Sequence, residues 1–315
     1  MNVEASFGGI YSRSESLVQT TRRLPPDLPA RYREEKERII AFQEKVGISH
    51  LVDPLSNWDD IFRPFTEELG GLTKGALARY YGNNTFYRQP MVISKITGNG
   101  NIALHHLDTD LLSRHATQKV TLPDPFTFAD CCEDRFYGKK EDLMFDLAEA
   151  LAQEARTLHS SGFSILQLNG PSVAKVRDHG LLKRIGEATE IISKAFPSNT
   201  LLHLFFDDVS PIIRDLLDFK VDGIGIDFTT TKLISLKDSG FDKILAAGLV
   251  DARSTHLEDS KQIASEGRLA QELLEPKGLH LVPSADLEFL PQEFANKKVS
   301  RLVKAAGIIE GDEHG

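Results

Sequence analysis

The feature that most constrains the fold is a repeated alternation. Short β-branched or apolar runs are each followed by a longer segment of helical period. The runs that read as strands are 7–11 (FGGIY), 48–53 (ISHLVD), 118–123 (QKVTLP), 164–169 (SILQLN), 201–206 (LLHLFF), 222–227 (DGIGID), 244–250 (ILAAGLV) and 279–283 (LHLVP). Helical stretches at 31–46, 140–161, 172–195, 208–218, 256–275 and 291–306 fall between them. Strands that alternate with helices lie parallel in one sheet, because a parallel return needs a crossover on one face. Eight such units predict an α/β fold, a single TIM-type (β/α)8 barrel over 1–315.

Two stretches depart from the repeat. The segment 54–117 is far longer than one crossover and reads as a helix followed by an excursion hairpin after strand two, with MVISKI running in, a turn at 97–101 (TGNGN) and IALHHL running out. The segment 12–30 carries Pro25, Pro26 and Pro29 and is expected to cross the surface before the first helix. At the other end, 308–315 reads as a flexible acidic tail.

Composition narrows the function. With 37 Lys+Arg against 46 Asp+Glu the formal charge is -9 and there is no long basic run, which argues against a dedicated nucleic-acid binder. No apolar run approaches the ~20 residues of a membrane span and the N-terminal residues lack a signal-like apolar core, so a cytoplasmic protein with no membrane partner is expected. The two cysteines, Cys131 and Cys132, are adjacent and can build neither a disulfide framework nor an all-cysteine zinc cage. They are expected in packing or surface roles.

In a barrel of this type the functional side chains sit at the C-terminal ends of the strands. Read there, the polar candidates are Arg13, Asp53, Asp59, Asp60, Asp124, Asn169, His203, Asp207, Asp208, Asp227, Asp251, Arg253, Ser284 and Asp286. His203 and Asp227 end neighbouring strands and read either as a metal or acid–base pair, or as a histidine hydrogen-bonded inside the barrel beside an aspartate that caps a helix. His105 and His106, on the return arm of the expected hairpin, read as solvated strand residues. The stretch Arg79, Tyr80, Tyr81, Phe86, Tyr87, Arg88 suits a planar heterocycle bearing carboxylates, or else anchors the hairpin to the barrel.

Taken together, FGGIYSR, VDPLSNWDDIFRPF, RYYGNNTFYRQP, LPDPFTF, ILQLNGPS, LLHLFF, GIGIDF, LAAGLVDARSTHLED and LHLVPSADL resemble, strand by strand, the barrel of the cobalamin-independent methionine synthase family. The likeness spans nearly the whole chain as scattered motifs and is closest to the short single-barrel relatives of the catalytic domain. It implies a methyltransferase moving a methyl group from a methylated folate or another donor to a thiol such as homocysteine, with zinc activating the thiol. The family's ligands are His-x-Cys on the fifth strand, Glu on the sixth and a Cys on the eighth. Carried over, they give His203, then Phe205, Asp227 and Ala285, so only His203 survives as a metal ligand and tight zinc binding is not expected. The family's Asp-Glu-Pro after strand four reads Asn169-Gly170-Pro171, and its acidic residue after strand two reads Leu55.

The enzyme reading makes His203, Asp227, Asp251 and Asp286 the catalytic remnant, with Arg13, Asn169, Tyr81, Tyr87 and Arg88 binding the small-molecule donor or acceptor. The alternative is a non-catalytic folate- or partner-binding subunit that works with a zinc-bearing paralogous barrel.

Overall fold

The computed structural model describes residues 3–112 and 117–311. Eight parallel strands form one sheet: β1 (Val3–Ala5), β2 (Leu51–Val52), β5 (Gln118–Pro123), β7 (Ile165–Asn169), β8 (Asn199–Leu204), β9 (Gly223–Asp227), β10 (Ile244–Val250) and β11 (Gly278–Pro283). A second sheet holds β3 (Gly70–Arg79), β4 (Phe86–Thr97) and β6 (Glu133–Asp134). The first sheet runs β1-β11-β10-β9-β8-β7-β5-β2 and curls until its two end strands meet, the TIM-type α/β barrel that the alternation predicts. Its outer ring includes α2 (Leu28–Val46), α7 (Lys140–Ser160), α8 (His179–Ala195), α10 (Ser260–Leu274) and α11 (Gln292–Gly311).

At the join, β1 and β2 share no ladder, and single backbone and side-chain hydrogen bonds close it instead. Ser49 donates its amide to the Ala5 carbonyl (2.9 Å), and Ala5 donates to Ser49 Oγ (2.9 Å). The buried Gln43 amide on α2 both donates to the Val52 carbonyl (2.8 Å) and accepts from its N–H (3.0 Å). These bonds satisfy backbone groups that an unpaired edge would leave bare.

Alternation along each strand sends aliphatic side chains to the helices and polar ones into the barrel. On β7, Leu166 and Leu168 are fully buried in the main core while Gln167 and Asn169 make polar contacts across the interior. The glycines of GIGID have a steric role there. A Cβ on Gly223 would lie 2.4 Å from Leu201 Cδ2, and one on Gly225 only 2.5 Å from the His203 ring, so these positions clear space for neighbouring side chains.

The structure corrects four sequence expectations. The first strand is Val3–Ala5, and FGGIY is a loop: Gly9 has φ 73°, and its N–H and that of Ile10 turn to Thr121 Oγ1 (2.8 Å) and Asp286 Oδ2 (3.2 Å) rather than to a ladder. The hairpin does follow strand two, but its arms are β3 and β4 and its turn is 80–85, inside the aromatic stretch. The expected return strand IALHHL is instead the short helix α4 (Ile102–His105), because buried Glu154 on α7 accepts from the free N–H groups of Ile102 (3.1 Å) and Ala103 (2.9 Å). His106 accordingly turns to Glu68 (2.5 Å). Finally, 12–30 contains its own helix, α1 (Glu15–Thr21), with Ser14 Oγ accepting from Leu17 N–H (3.2 Å). Residues 308–311 form the last turn of α11, and 312–315 lie outside the described residues.

Candidate active site at the strand ends

The polar residues of the barrel interior converge near its C-terminal end. Gln167 Nε2 donates to Asn169 Oδ1 (2.8 Å) and to His203 Nδ1 (3.3 Å), and Asn169 Nδ2 donates to Asp286 Oδ1 (2.8 Å). Three of the sequence candidates, His203, Asn169 and Asp286, are therefore one hydrogen-bonded network drawn from β7, β8 and the loop after β11. Because Nδ1 accepts, the proton of a neutral His203 ring sits on Nε2, which is buried and has no partner. Burial, reinforced by the Lys119 ammonium, lowers the His203 pKa to about 3 and keeps the ring neutral.

Asp286 is its electrostatic counterpart. Burial raises its pKa to about 7, against the lowering effects of the Ile10 N–H, the Asn169 amide and Lys119. Gly9 makes this close approach possible, since a Cβ there would lie 2.0 Å from Asp286 Oδ1. Deeper in the barrel, Lys119 on β5 is wholly buried; Ser6 Oγ lies 3.4 Å from its Nζ, and burial lowers its pKa to about 7. Three more carboxyls around the mouth are raised chiefly by burial: Asp60 to about 6, Asp124 to about 7 and Glu288 to about 8.

The hairpin turn covers this polar cluster with aromatic rings. Tyr80 stacks parallel to Phe289 (centroids 6.4 Å apart, planes 14° apart) and edge-on to Phe206 (6.3 Å). Tyr81 packs on Phe206 (5.9 Å), bonds through its hydroxyl to Ser172 Oγ and lies beneath the Lys175 ammonium (4.5 Å). Tyr81 (φ 45°) and Phe206 (φ 73°) both hold the left-handed backbone conformation that side chains disfavour. Such strain persists only where the surroundings enforce it, and it clusters at functional sites.

Other sequence candidates lie apart from the network. Asp227 spends both carboxylate oxygens on local loops: Oδ1 accepts from Thr229 N–H (2.9 Å) and Oγ1 (2.5 Å), and Oδ2 from Phe206 N–H (3.2 Å). Asp251 accepts from the Arg253 N–H (2.8 Å) at the rim. Arg13 ties the loop after β1 to the loop after β2, donating to the carbonyls of Ser56 (2.8 Å) and Trp58 (2.7 Å). Tyr87 sits among Phe62 and Tyr80, and its hydroxyl donates to the Cys131 carbonyl (3.3 Å). The Arg88 guanidinium reaches back across its own hairpin to the Gly75 carbonyl (3.5 Å). Asp53 is in a buried ion pair with Lys36 (3.1 Å). Both cysteines are free, and burial pushes the Cys131 thiol up to about 11.

Sequence reading missed Gln167, Lys119 and Glu288. The first two were legible in principle, as polar residues in alternation with leucine and valine inside strands that were correctly located. It also missed a group at the opposite pole of the barrel, where Glu4, His50 and His280 each offer a potential metal ligand atom, all within 4.8 Å of one another.

Fold and site together define a class: a TIM-type barrel with a polar cluster at its strand ends, covered by an excursion hairpin. The family model described as the cobalamin-independent synthase catalytic domain matches residues 17–308, and the chain belongs to that family. Among curated proteins it is similar to the methionine synthase of Saccharolobus solfataricus, 27% identical over 86% of this chain and 82% of that one. It is likewise similar to the methionine synthase of Sulfolobus acidocaldarius, 25% identical over 96% and 90% of the two chains. Among solved structures, a B12-independent methionine synthase from a Shewanella species in complex with selenomethionine superposes with a TM-score of 0.85 at 17% identity, over 99% of this chain and 98% of that one. Among the described residues, no helix is long and apolar enough to cross a membrane.

Proposed function

We propose that this barrel transfers a methyl group from a small-molecule donor, of which a methylated folate is the first candidate, to a thiol acceptor such as homocysteine. The reaction takes place at the polar network beneath Tyr80 and Tyr81, without a zinc ion at the strand ends. Family membership supports the reaction class. The observation that carries the site is the Gln167–Asn169–His203–Asp286 network, buried at the end of the barrel where this architecture places its chemistry.

The donor set is the argument against zinc at this place. Of the positions matching the family's ligands, Phe205 and Ala285 offer no donor atom, Asp227 is committed to loop amides, and His203 presents a protonated Nε2 with Nδ1 already bonded. A zinc site needs three or four convergent donors, and these residues do not supply them. What remains is acid–base chemistry. Asp286, with a pKa near 7, is poised to take the proton from a thiol and return it to the donor nitrogen as the methyl group leaves. Asn169 holds that carboxylate in place, and the aromatic cover excludes water. Asp227 and Asp251 then belong to loop geometry, and Tyr81 with Tyr87 to the cover.

The test is methionine formation by the purified full-length chain from 5-methyltetrahydrofolate, as mono- and triglutamate, and homocysteine. Turnover that survives loss of zinc and falls at least tenfold in Asp286→Asn supports this reading. Turnover that tracks added zinc and vanishes in His203→Ala overturns it.

A second reading has its own observation. Tyr80 and Phe289 stack across the mouth, which is what a closed binding module would show. Micromolar folate binding by calorimetry with no turnover, restored when a zinc-bearing paralogous barrel is added, would establish that subunit role instead.

A further inference from the structure

We propose that Glu4, His50 and His280 form a second, separate metal site at the N-terminal pole of the barrel. It would take a zinc-class divalent cation that staples the seam where the barrel closes. The three residues come from distant parts of the sequence. Glu4 lies on β1, His280 faces it in register on β11, and His50 directly precedes β2. These elements flank the β1–β2 join, among the described residues the one strand junction closed by single hydrogen bonds, including that of Ser49 beside His50.

The geometry is nearly that of a coordination sphere. Nε2 of His50 lies 2.6 Å from Glu4 Oε2, and Nε2 of His280 lies 2.9 Å from the same oxygen. Ligands at the usual ~2.0–2.2 Å from a tetrahedral zinc are separated by roughly 3.3 Å. Side-chain shifts of under ~1 Å would therefore open the triangle enough to admit the ion.

Two further observations single this cluster out from an ordinary buried ion pair. Both imidazoles are more than nine-tenths buried, and each turns Nε2, the atom that would bind the ion, to the same Glu4 oxygen. Glu4 retains 25% exposure, which gives an ion a path in and leaves room for a water as fourth ligand. Two imidazoles and one carboxylate favour zinc, cobalt or nickel over magnesium or calcium, which prefer all-oxygen cages. This proposal does not depend on the chemistry assigned to the strand ends, although the buried Lys119 ammonium interacts electrostatically with both Glu4 and Asp286.

The experiment uses the full-length chain, stripped with chelator and dialysed, then titrated with Co2+ and followed by its visible absorption. Zn2+ competition and thermal melting with and without Zn2+ complete it. The expected result is one equivalent bound with a four-coordinate spectrum, displaced by Zn2+, and a melting temperature raised several degrees by Zn2+. Glu4→Gln, which keeps the shape of the side chain, and His280→Ala are expected to lose both signals, while His203→Ala keeps them. If His280→Ala does not fold, Glu4→Gln and His50→Gln decide. Absence of stoichiometric binding in the wild type overturns the proposal, and so does binding that is lost in His203→Ala but retained in Glu4→Gln.

Discussion

At the scale of single residues, the barrel interior is an arrangement of titratable groups held away from their ordinary protonation behaviour, and that makes stability depend on pH with a definite sign. Asp286 binds its proton more tightly folded than unfolded, its pKa rising from 3.8 to about 7, so its contribution to stability falls as pH rises through that window. His203 works in the opposite sense. Its pKa falls from 6.5 to about 3, so the folded state loses stability as pH drops between those values. Lys119, lowered from 10.5 to about 7, makes stability rise with pH above neutrality. Asp286→Asn removes the first of these terms and, by taking a carboxylate from near Lys119, lowers the Lys119 pKa further, which acts in the same direction on the difference from wild type. Its melting temperature relative to wild type is therefore expected to climb by several degrees between about pH 5 and about pH 8, a difference in which the His203 term largely cancels. Parallel melting curves at both pH values check it, and an unchanged difference would mean that Asp286 ionises normally. Asp286 itself was identifiable in the sequence as a polar residue just past a strand. Its environment was not, because the loop carrying Gly9 comes from the other end of the chain.

Among the elements, the hairpin shows how a local signal is settled by distant contacts. The sequence reading places the turn at 97–101 (TGNGN), whereas the structure turns at 80–85, where Gly82, Asn83 and Asn84 supply the same turn-favouring residue types. The hairpin turns at 80–85 because Tyr80 and Tyr81 then reach Phe206 and Phe289 at the barrel mouth. The expected turn at 97–101 leads instead into α4, whose open N–H groups find Glu154. If ring packing is what seats the turn, Tyr81→Ala costs about 2–4 kcal/mol of stability, as truncation of a largely buried aromatic does. Tyr81→Phe, which loses only the hydroxyl bond to Ser172, costs about 1 kcal/mol. Denaturant unfolding of the pair checks this. Equal losses would assign the anchoring to the hydrogen bond, and no loss in either would free Tyr81 for a purely ligand-binding role. The same measurement bears on the aromatic and arginine stretch as a whole. Its tyrosines face the barrel, whereas Arg88 bonds within the hairpin.

For the whole molecule, the controlling feature is closure. Seven neighbouring pairs of strands are joined by parallel ladders, and the eighth junction is made by Ser49 and by Gln43 reaching from α2. Gln43 is wholly buried and bonds both backbone groups of Val52, so Gln43→Ala leaves an N–H and a C=O bare in the interior. The expected cost is about 2–6 kcal/mol, from two unsatisfied backbone groups at ~1–3 kcal/mol each. Hydrogen exchange should show the loss first at β1 and β2 rather than across the sheet. Uniform loss of protection would mean that the seam opens only with global unfolding. The buried pairing of Lys36 with Asp53 and Asp108 reinforces the same region, tying α2 to strand two and to the end of the excursion.

What the sequence determined by itself was the order of the barrel elements, the position of most of its strands and the polar residues at their ends. These rest on period-two and helical patterning, which neighbouring residues encode without help from the rest of the chain. The run at 118–123 matches β5 residue for residue, and those at 164–169, 222–227 and 279–283 match β7, β9 and β11 to within a residue. Tertiary structure alone decided which polar side chains meet. Asn169 reaches Asp286, 117 positions away, and Glu4 reaches His280 from opposite ends of the chain, only because the sheet closes on itself. It also turned FGGIY from a strand into a loop, since the amides of Gly9 and Ile10 found side-chain partners inside the barrel that no local pattern records.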